Sequence, residues 1–320
     1  MSMRCLSIFL LFILLPLSLQ AQVLGNGLIS SDINLELSPT HPQPNESFTA
    51  TLNDYSGGVG AEINWYYNGT LLPDRSNART ITLSSGDAGS KSVVKAVLVY
   101  QDGSTRGFEA AVNPVYLDII IEPQTHVPTF YQGRALPSTG STVNATALIG
   151  TPGLSSAVYY YTWKINNKVH QGGPLRGGNE ISFVMPQDST SVLSLEVTTV
   201  TGVPVATRAI SIPSVAPKLL FYEVSTLYGL ETKAITSSFA LIGNSATLRA
   251  EPYFLSSQVF NQPNILSWKV AGEEIGITGA NPYEVTLQKT GFPGTTDIRF
   301  HVRSTDIILQ GVERGINVSI

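Results

Sequence analysis

Apolar and polar residues alternate with a period of two along most of the chain, in short runs broken by turn residues. Ile33, Leu35 and Leu37 alternate with polar neighbours. After Pro39, Pro42 and Pro44 the pattern resumes at Phe48, Ala50 and Leu52. Ile63, Trp65 and Tyr67 follow, then Ile81 and Leu83, the run from Val93 to Tyr100, and finally Phe108, Ala110 and Val112. Period two marks a strand with one buried face, because successive side chains leave a pleated strand on opposite sides. Asn68-Gly69 and Asp102-Gly103 fall between runs, and both pairs tolerate the positive φ that tight hairpins require. No helical face of about 12 or more residues stands out beyond the N-terminal segment.

The same order is written three times. The chain has three tryptophans, in Ile63-Asn64-Trp65-Tyr66-Tyr67, Tyr161-Thr162-Trp163-Lys164-Ile165 and Leu266-Ser267-Trp268-Lys269-Val270. Their spacings, 98 and 105 residues, are each about the length of one small β-sandwich. Val143, Ala145 and Ala147 stand before Trp163 as Phe48, Ala50 and Leu52 stand before Trp65, and Ala246, Leu248 and Ala250 stand before Trp268. Trp163 to Val197 and Trp268 to Val302 are both 34 residues apart, so the registers agree. About seven short strands per repeat predict an all-β chain of three tandem immunoglobulin-like sandwiches, at 32–114, 115–215 and 216–320. In each, the tryptophan is expected in the core. Short proline-bearing linkers at Asn113-Pro114 and Pro213 to Pro217 predict a semi-rigid rod.

Modules two and three carry long connections that the first lacks. Pro128-Thr129-Phe130-Tyr131-Gln132-Gly133 lies in one, and Thr226-Leu227-Tyr228-Gly229 occupies the corresponding place in the other. Phe130, Tyr131 and Tyr228 are therefore the candidate binding residues, set against the reading in which these aromatics pack on a neighbouring module.

The N-terminus changes the picture of location. Met1-Ser2-Met3-Arg4 precedes an apolar run from Cys5 to Leu19 and a small residue at Ala21, the layout of a secretory signal, residues 1–21. Leu19 is a poor residue at the −3 position, so retention as an N-terminal anchor stays open. Cys5 is the only cysteine, so a processed chain has none and its modules hold together by packing alone. That argues against a eukaryotic extracellular immunoglobulin domain and favours a bacterial exported protein. Only 13% of residues are charged, with a formal balance of −4 and no basic cluster, which excludes the footprint of a nucleic-acid binder. No other apolar stretch approaches the length of a membrane span.

Several motifs invite chemistry and do not carry it. Leu136-Pro137-Ser138-Thr139-Gly140 spells a sortase pentapeptide, but a long strand-like sequence follows it and no apolar segment with a basic tail does. Gly172-Gly173-Pro174-Leu175-Arg176-Gly177-Gly178 lacks the Gly-Lys-Ser/Thr ending and helix of a phosphate loop and reads as an inter-strand loop. His41, His126, His170 and His301 are isolated, without metal-ligand spacing, and His301 falls out of phase with the core. No catalytic residue, metal site or cofactor is expected, although calcium between modules stays open. The phrases Thr125-His126-Val127-Pro128-Thr129-Phe130-Tyr131-Gln132-Gly133-Arg134-Ala135-Leu136-Pro137-Ser138 and Leu248-Arg249-Ala250-Glu251-Pro252-Tyr253-Phe254-Leu255-Ser256-Ser257 resemble uncharacterised exported proteins of candidate-phylum, Parcubacteria-like bacteria. The wider layout resembles the immunoglobulin-like or PKD-like repeats of bacterial surface proteins. The resemblance implies a sandwich fold and a secreted or surface location, and no activity. The expected role is an extracellular structural or adhesive spacer. The alternative is a recognition module that binds a protein or glycan through the aromatic connections.

Overall fold

The computed structural model describes residues 33–54, 61–150, 155–277, 279–289 and 293–320. The expected signal segment, residues 1–21, lies outside the described residues. The chain is all-β, three tandem immunoglobulin-like β-sandwiches, with one five-residue helix among the described residues apart from short 3-10 turns.

Module one is built from β1 (Ile33–Ser38), β2 (Ser47–Asp54), β3 (Glu62–Tyr67), β4 (Thr70–Leu71), β5 (Thr80–Ser84), β6 (Ser92–Val99) and β7 (Thr105–Val112). Its sheets have the orders β1-β2-β5 and β4-β3-β6-β7. Module two comprises β8 (Tyr116–Pro123), β9 (Thr142–Gly150), β10 (Tyr160–Ile165), β11 (Lys168–Val169), β12 (Leu175–Arg176), β13 (Glu180–Val184), β14 (Thr190–Thr198) and β15 (Pro204–Pro213). There β13-β9-β8 faces β11-β10-β14-β15, and β12 adds to β10. The glycine-rich stretch at 172–178 thus contains a short strand, and the Gly177 N–H is bonded to the Tyr159 carbonyl at 2.9 Å.

Module three runs β16 (Lys218–Ser225), β17 (Gly229–Leu230), β18 (Ser238–Ala240), β19 (Ser245–Tyr253), α1 (Ser257–Asn261), β20 (Ile265–Val270), β21 (Glu273–Ile275), β22 (Glu284–Gln288), β23 (Thr295–Arg303) and β24 (Gly311–Ser319). Its sheets are β17-β16-β19-β22 and β18-β24-β23-β20-β21, with β18 parallel to β24.

Each core is organised about its indole. Trp65, Trp163 and Trp268 are 0%, 2% and 1% exposed. In every module the ring N–H donates to the carbonyl two residues ahead of a strand in the opposite sheet: Ala78 before β5 (2.8 Å), Gly178 before β13 (2.8 Å) and Pro282 before β22 (3.1 Å). The indole therefore fills the space between the sheets and ties one to the other without an unsatisfied donor. After it comes the same two-residue hairpin, with positive φ at both central residues: Asn68-Gly69, Asn166-Asn167 and Ala271-Gly272. Asparagine and glycine suit that conformation and alanine does not, so the third copy is held by its surroundings.

Candidate functional site

The regions that distinguish this chain from three independent sandwiches are the two junctions. Between modules one and two, the β1–β2 connection reaches down to β8. The Gln43 side-chain N–H donates to the Leu117 carbonyl at 3.0 Å, and the Leu117 N–H donates back to Gln43 Oε1 at 3.0 Å. One amide thus satisfies both backbone groups of an edge residue. His41, beside it, has its proton affinity lowered by burial, a shift that Glu196 of module two opposes. Two grooves flank His41. One, about 620 Å³, runs between β1, the end of β7 and the start of β15. The other, about 370 Å³, lies over Lys164, Glu196 and Arg208.

The junction between modules two and three is far more extensive. The connection at 124–141 pairs with the end of β19 and the start of α1 through backbone bonds: His126 N–H to the Leu255 carbonyl (2.7 Å), Phe254 N–H to the His126 carbonyl (2.7 Å) and Ser257 N–H to the Gln124 carbonyl (3.0 Å). Phe254 sits at φ +61° to make this turn, a left-handed conformation that a bulky side chain adopts only when its contacts enforce it. Below it lies Glu251, 2% exposed. One of its carboxylate oxygens is 3.0 Å from His126 Nε2, and the other is 2.8 Å from Arg249 Nε.

Phe130 and Tyr131 are both half-buried against module three. Phe130 meets the Tyr222 ring edge-on at 5.2 Å, and Tyr131 meets Tyr253 and Phe254 at 5.5 and 6.0 Å. The Tyr222 and Tyr253 hydroxyls share a hydrogen bond of 2.6 Å. Tyr228 stands elsewhere, 83% exposed at the β16–β17 hairpin tip beside Leu227, which is 84% exposed. The two aromatic connections are therefore not equivalent. The first threads into a junction, and the second turns back on its own strand at the opposite end of β16.

A line of rings joins the two modules. His126 stacks on Phe260 at 3.5 Å, Phe260 on Tyr283 at 4.6 Å, Tyr283 packs on Phe300 at 5.5 Å, and Phe300 on Trp268 at 4.6 Å. The third core is thus continuous with the surface of the second module.

The pentapeptide 136–140 closes this junction. Ser138 is fully buried, and Gln310, also fully buried, donates from Nε2 to Ser138 Oγ (2.8 Å) and to the Thr139 carbonyl (2.6 Å). Its Oε1 accepts from the Ser256 N–H at 2.7 Å. A Cβ at Gly140, whose φ is +82°, would stand 2.6 Å from Ile307, so only glycine fits there. Nothing in the sequence pattern singled out Gln43, Gln310 or Glu251.

No group of three or more His, Cys, Asp or Glu side chains is arranged to hold a metal among the described residues. His301 is half-buried on β23. No helix among the described residues is long and apolar enough to cross a membrane.

No protein family and no curated protein matches the chain. Among solved structures it is similar to the three N-terminal domains of the outer capsid protein Hoc of bacteriophage RB49. That match is 11% identical over 90% of this chain and 97% of that one, with a TM-score of 0.25. It is also similar to fibronectin(III)-like modules of Clostridium thermocellum CbhA (14% identity, 57% and 93% coverage, TM-score 0.27). A third likeness is to a 1.5-MDa bacterial ice-binding adhesin (11%, 90% and 96%, 0.24). At such TM-scores these likenesses carry no weight beside the strand ladders themselves.

The junction tyrosines have a consequence in alkali. Burial, foremost, holds the phenols of Tyr222 and Tyr253 above the ordinary tyrosine value, and for Tyr253 the bond to Tyr222 adds to it. A folded-state value raised above the unfolded one contributes stability that is whole below about pH 10 and is lost as pH rises beyond it. Urea midpoints for modules two and three are expected to fall between about pH 9 and pH 11.5. The fall should be smaller in a Tyr222→Phe/Tyr253→Phe variant, in which both hydroxyls are removed together.

Proposed function

We propose that the chain is a non-enzymatic, exported spacer that holds a contact surface at a set distance from the cell, its partner an extracellular protein or glycan. The observation that carries this reading is the seating of Phe130 and Tyr131 on Tyr222, Tyr253 and Phe254. Aromatics used for recognition face solvent in one patch, whereas these join two sandwiches. A rigid pair of modules transmits distance and orientation in a way that a flexible linker does not. The absence of cysteine from any processed chain fits the same reading, because fused cores replace disulfides as the source of stability.

The test is Phe130→Ala/Tyr131→Ala in the full chain. Wild-type modules two and three are expected to unfold in one transition and to scatter X-rays as a stiff pair. The double variant should split the transition and broaden the distribution of inter-module distances. An unchanged scattering profile and a single transition in the variant would remove the basis for the spacer.

One observation favours a second reading. Leu227, Tyr228 and Ile242, 84%, 83% and 94% exposed, all lie at the end of module three remote from the junction. Recognition at that tip predicts that Leu227→Ser/Tyr228→Ser abolishes binding to intact cells while leaving the junction stiff.

A further inference from the structure

The three modules differ at one flank, the side of the sandwich between the first and last strands. The tryptophan ladders fix the equivalence. Trp65 pairs with Ala96 and Ala96 with Phe108, Trp163 with Leu195 and Leu195 with Arg208, and Trp268 with Phe300 and Phe300 with Arg314. Phe108, Arg208 and Arg314 therefore hold one structural position, and Ala111–Asn113 of module one corresponds to Asn317–Ser319 of module three.

In module three, Asn317–Ser319 is covered. The extended segment Ser238-Phe239-Ala240 lies parallel to it as β18, and Phe239 packs on the core. Arg314 fastens the flank by donating to the Leu219 carbonyl on β16 and to the Thr236 carbonyl just before β18. Module two is covered just past the end of β15, where the Val215 N–H donates to the Pro137 carbonyl at 2.9 Å. Its Arg208 reaches Asp118 on β8 at 3.7 Å.

Among the described residues module one has neither device. Its connection from β1 to β2, residues 39–46, is too short to supply a covering strand, and among the described residues β7 is an edge whose ladder neighbour is β6. Phe108 stands where the arginines stand. At the place β18 would occupy there is instead the groove of about 620 Å³, lined by Ala110, Ala111 and Asn113 on one side and by Leu35, Leu37 and Val205 on others. Among the described residues it combines the outer edge of a terminal strand, small side chains that let another backbone approach, and an apolar floor.

We propose that this flank of module one is an acceptor groove for an extended strand of another polypeptide, which adds parallel to β7 as β18 adds to β24. Main-chain bonds to the β7 edge supply the attachment. An apolar side chain in the Phe239 position, with small polar neighbours, supplies the selectivity. The site goes beyond the spacer role and does not depend on it, since stiffness is decided at the junction of modules two and three.

The chain's own sequence furnishes the probe, a synthetic Thr236–Ile242 peptide titrated into the full-length protein. Saturable binding is expected below about 1 mM. Amide shifts should be confined to Ala110–Asn113, Leu35–Leu37 and Val203–Val205. A spin label on the peptide's C-terminus should broaden Asn113, and one on its N-terminus Phe108, which fixes the parallel sense. Ala110→Trp, which fills the groove, should weaken binding by at least about tenfold. Should that variant misfold, Ala111→Trp and the shift map decide independently. Absence of saturation, antiparallel broadening, or shifts at Asn317–Ser319 through displacement of β18 would each overturn the proposal.

Discussion

Trp268→Ala is expected to destabilise module three by about 3–5 kcal/mol, enough to unfold much of a domain whose whole stability is about 5–15 kcal/mol. The indole is 1% exposed, and no side-chain shift can refill its volume while Phe221, Phe300 and the Pro282 carbonyl keep their places. Its loss also leaves the Pro282 carbonyl without the indole N–H that ties the two sheets together. The ring line from Trp268 to His126 gives the effect a particular reach. Urea denaturation followed by Trp163 fluorescence should show module two losing stability as well, because its connection at 124–141 rests on Phe260 and Tyr253. Trp65→Ala has a similar local cost but should leave the Trp163 and Trp268 signals near their wild-type midpoints. The bonds described between modules one and two centre on the Gln43 amide. Equal propagation from both variants would contradict the asymmetry of the junctions.

That asymmetry was only half legible in the sequence. Strand alternation and the thrice-written tryptophan phrase are local patterns, and a buried face forces them on any strand, so the sandwich architecture could be read directly. Asn68-Gly69 foretold its hairpin for the same reason. Glu251 looked like an ordinary outward residue of an alternating strand, since Leu248 and Ala250 mark the core face. It is buried because a loop from another module lies over it, and nothing within β19 encodes that. Phe130 and Tyr228 presented alike, as aromatics in long connections. Their fates diverge because Phe130 meets a surface encoded about 90 residues downstream in the sequence, whereas the Tyr228 hairpin bonds to its own strand. The first module's lack of a long connection was visible as a difference in spacing. Its consequence, an uncovered flank, emerged only from the registers.

Gln310→Ala should be the most damaging single change outside the cores. The Gln310 amide is fully buried and satisfies three groups on two modules: the Ser256 N–H, Ser138 Oγ and the Thr139 carbonyl. Alanine removes every one of these bonds. Each buried group left unpaired costs about 1–3 kcal/mol, on top of the packing lost with the side chain. The damage falls on the seam itself, because Ser138 and Thr139 belong to the pentapeptide that Gly140 presses against Ile307. Calorimetry of the full chain is therefore expected to show the single transition of modules two and three resolve into two, the earlier at markedly lower temperature. Gln310→Glu separates hydrogen bonding from volume. It keeps the acceptor for Ser256 N–H but turns a donor toward the Thr139 carbonyl into a second acceptor, so it should be nearly as harmful as alanine. Gln43→Ala at the other junction touches a half-buried amide with two bonds to one residue, and about 1 kcal/mol is the expected loss. A chain in which Gln310→Ala costs no more than Gln43→Ala has its modules joined by the proline linkers, not by the seam.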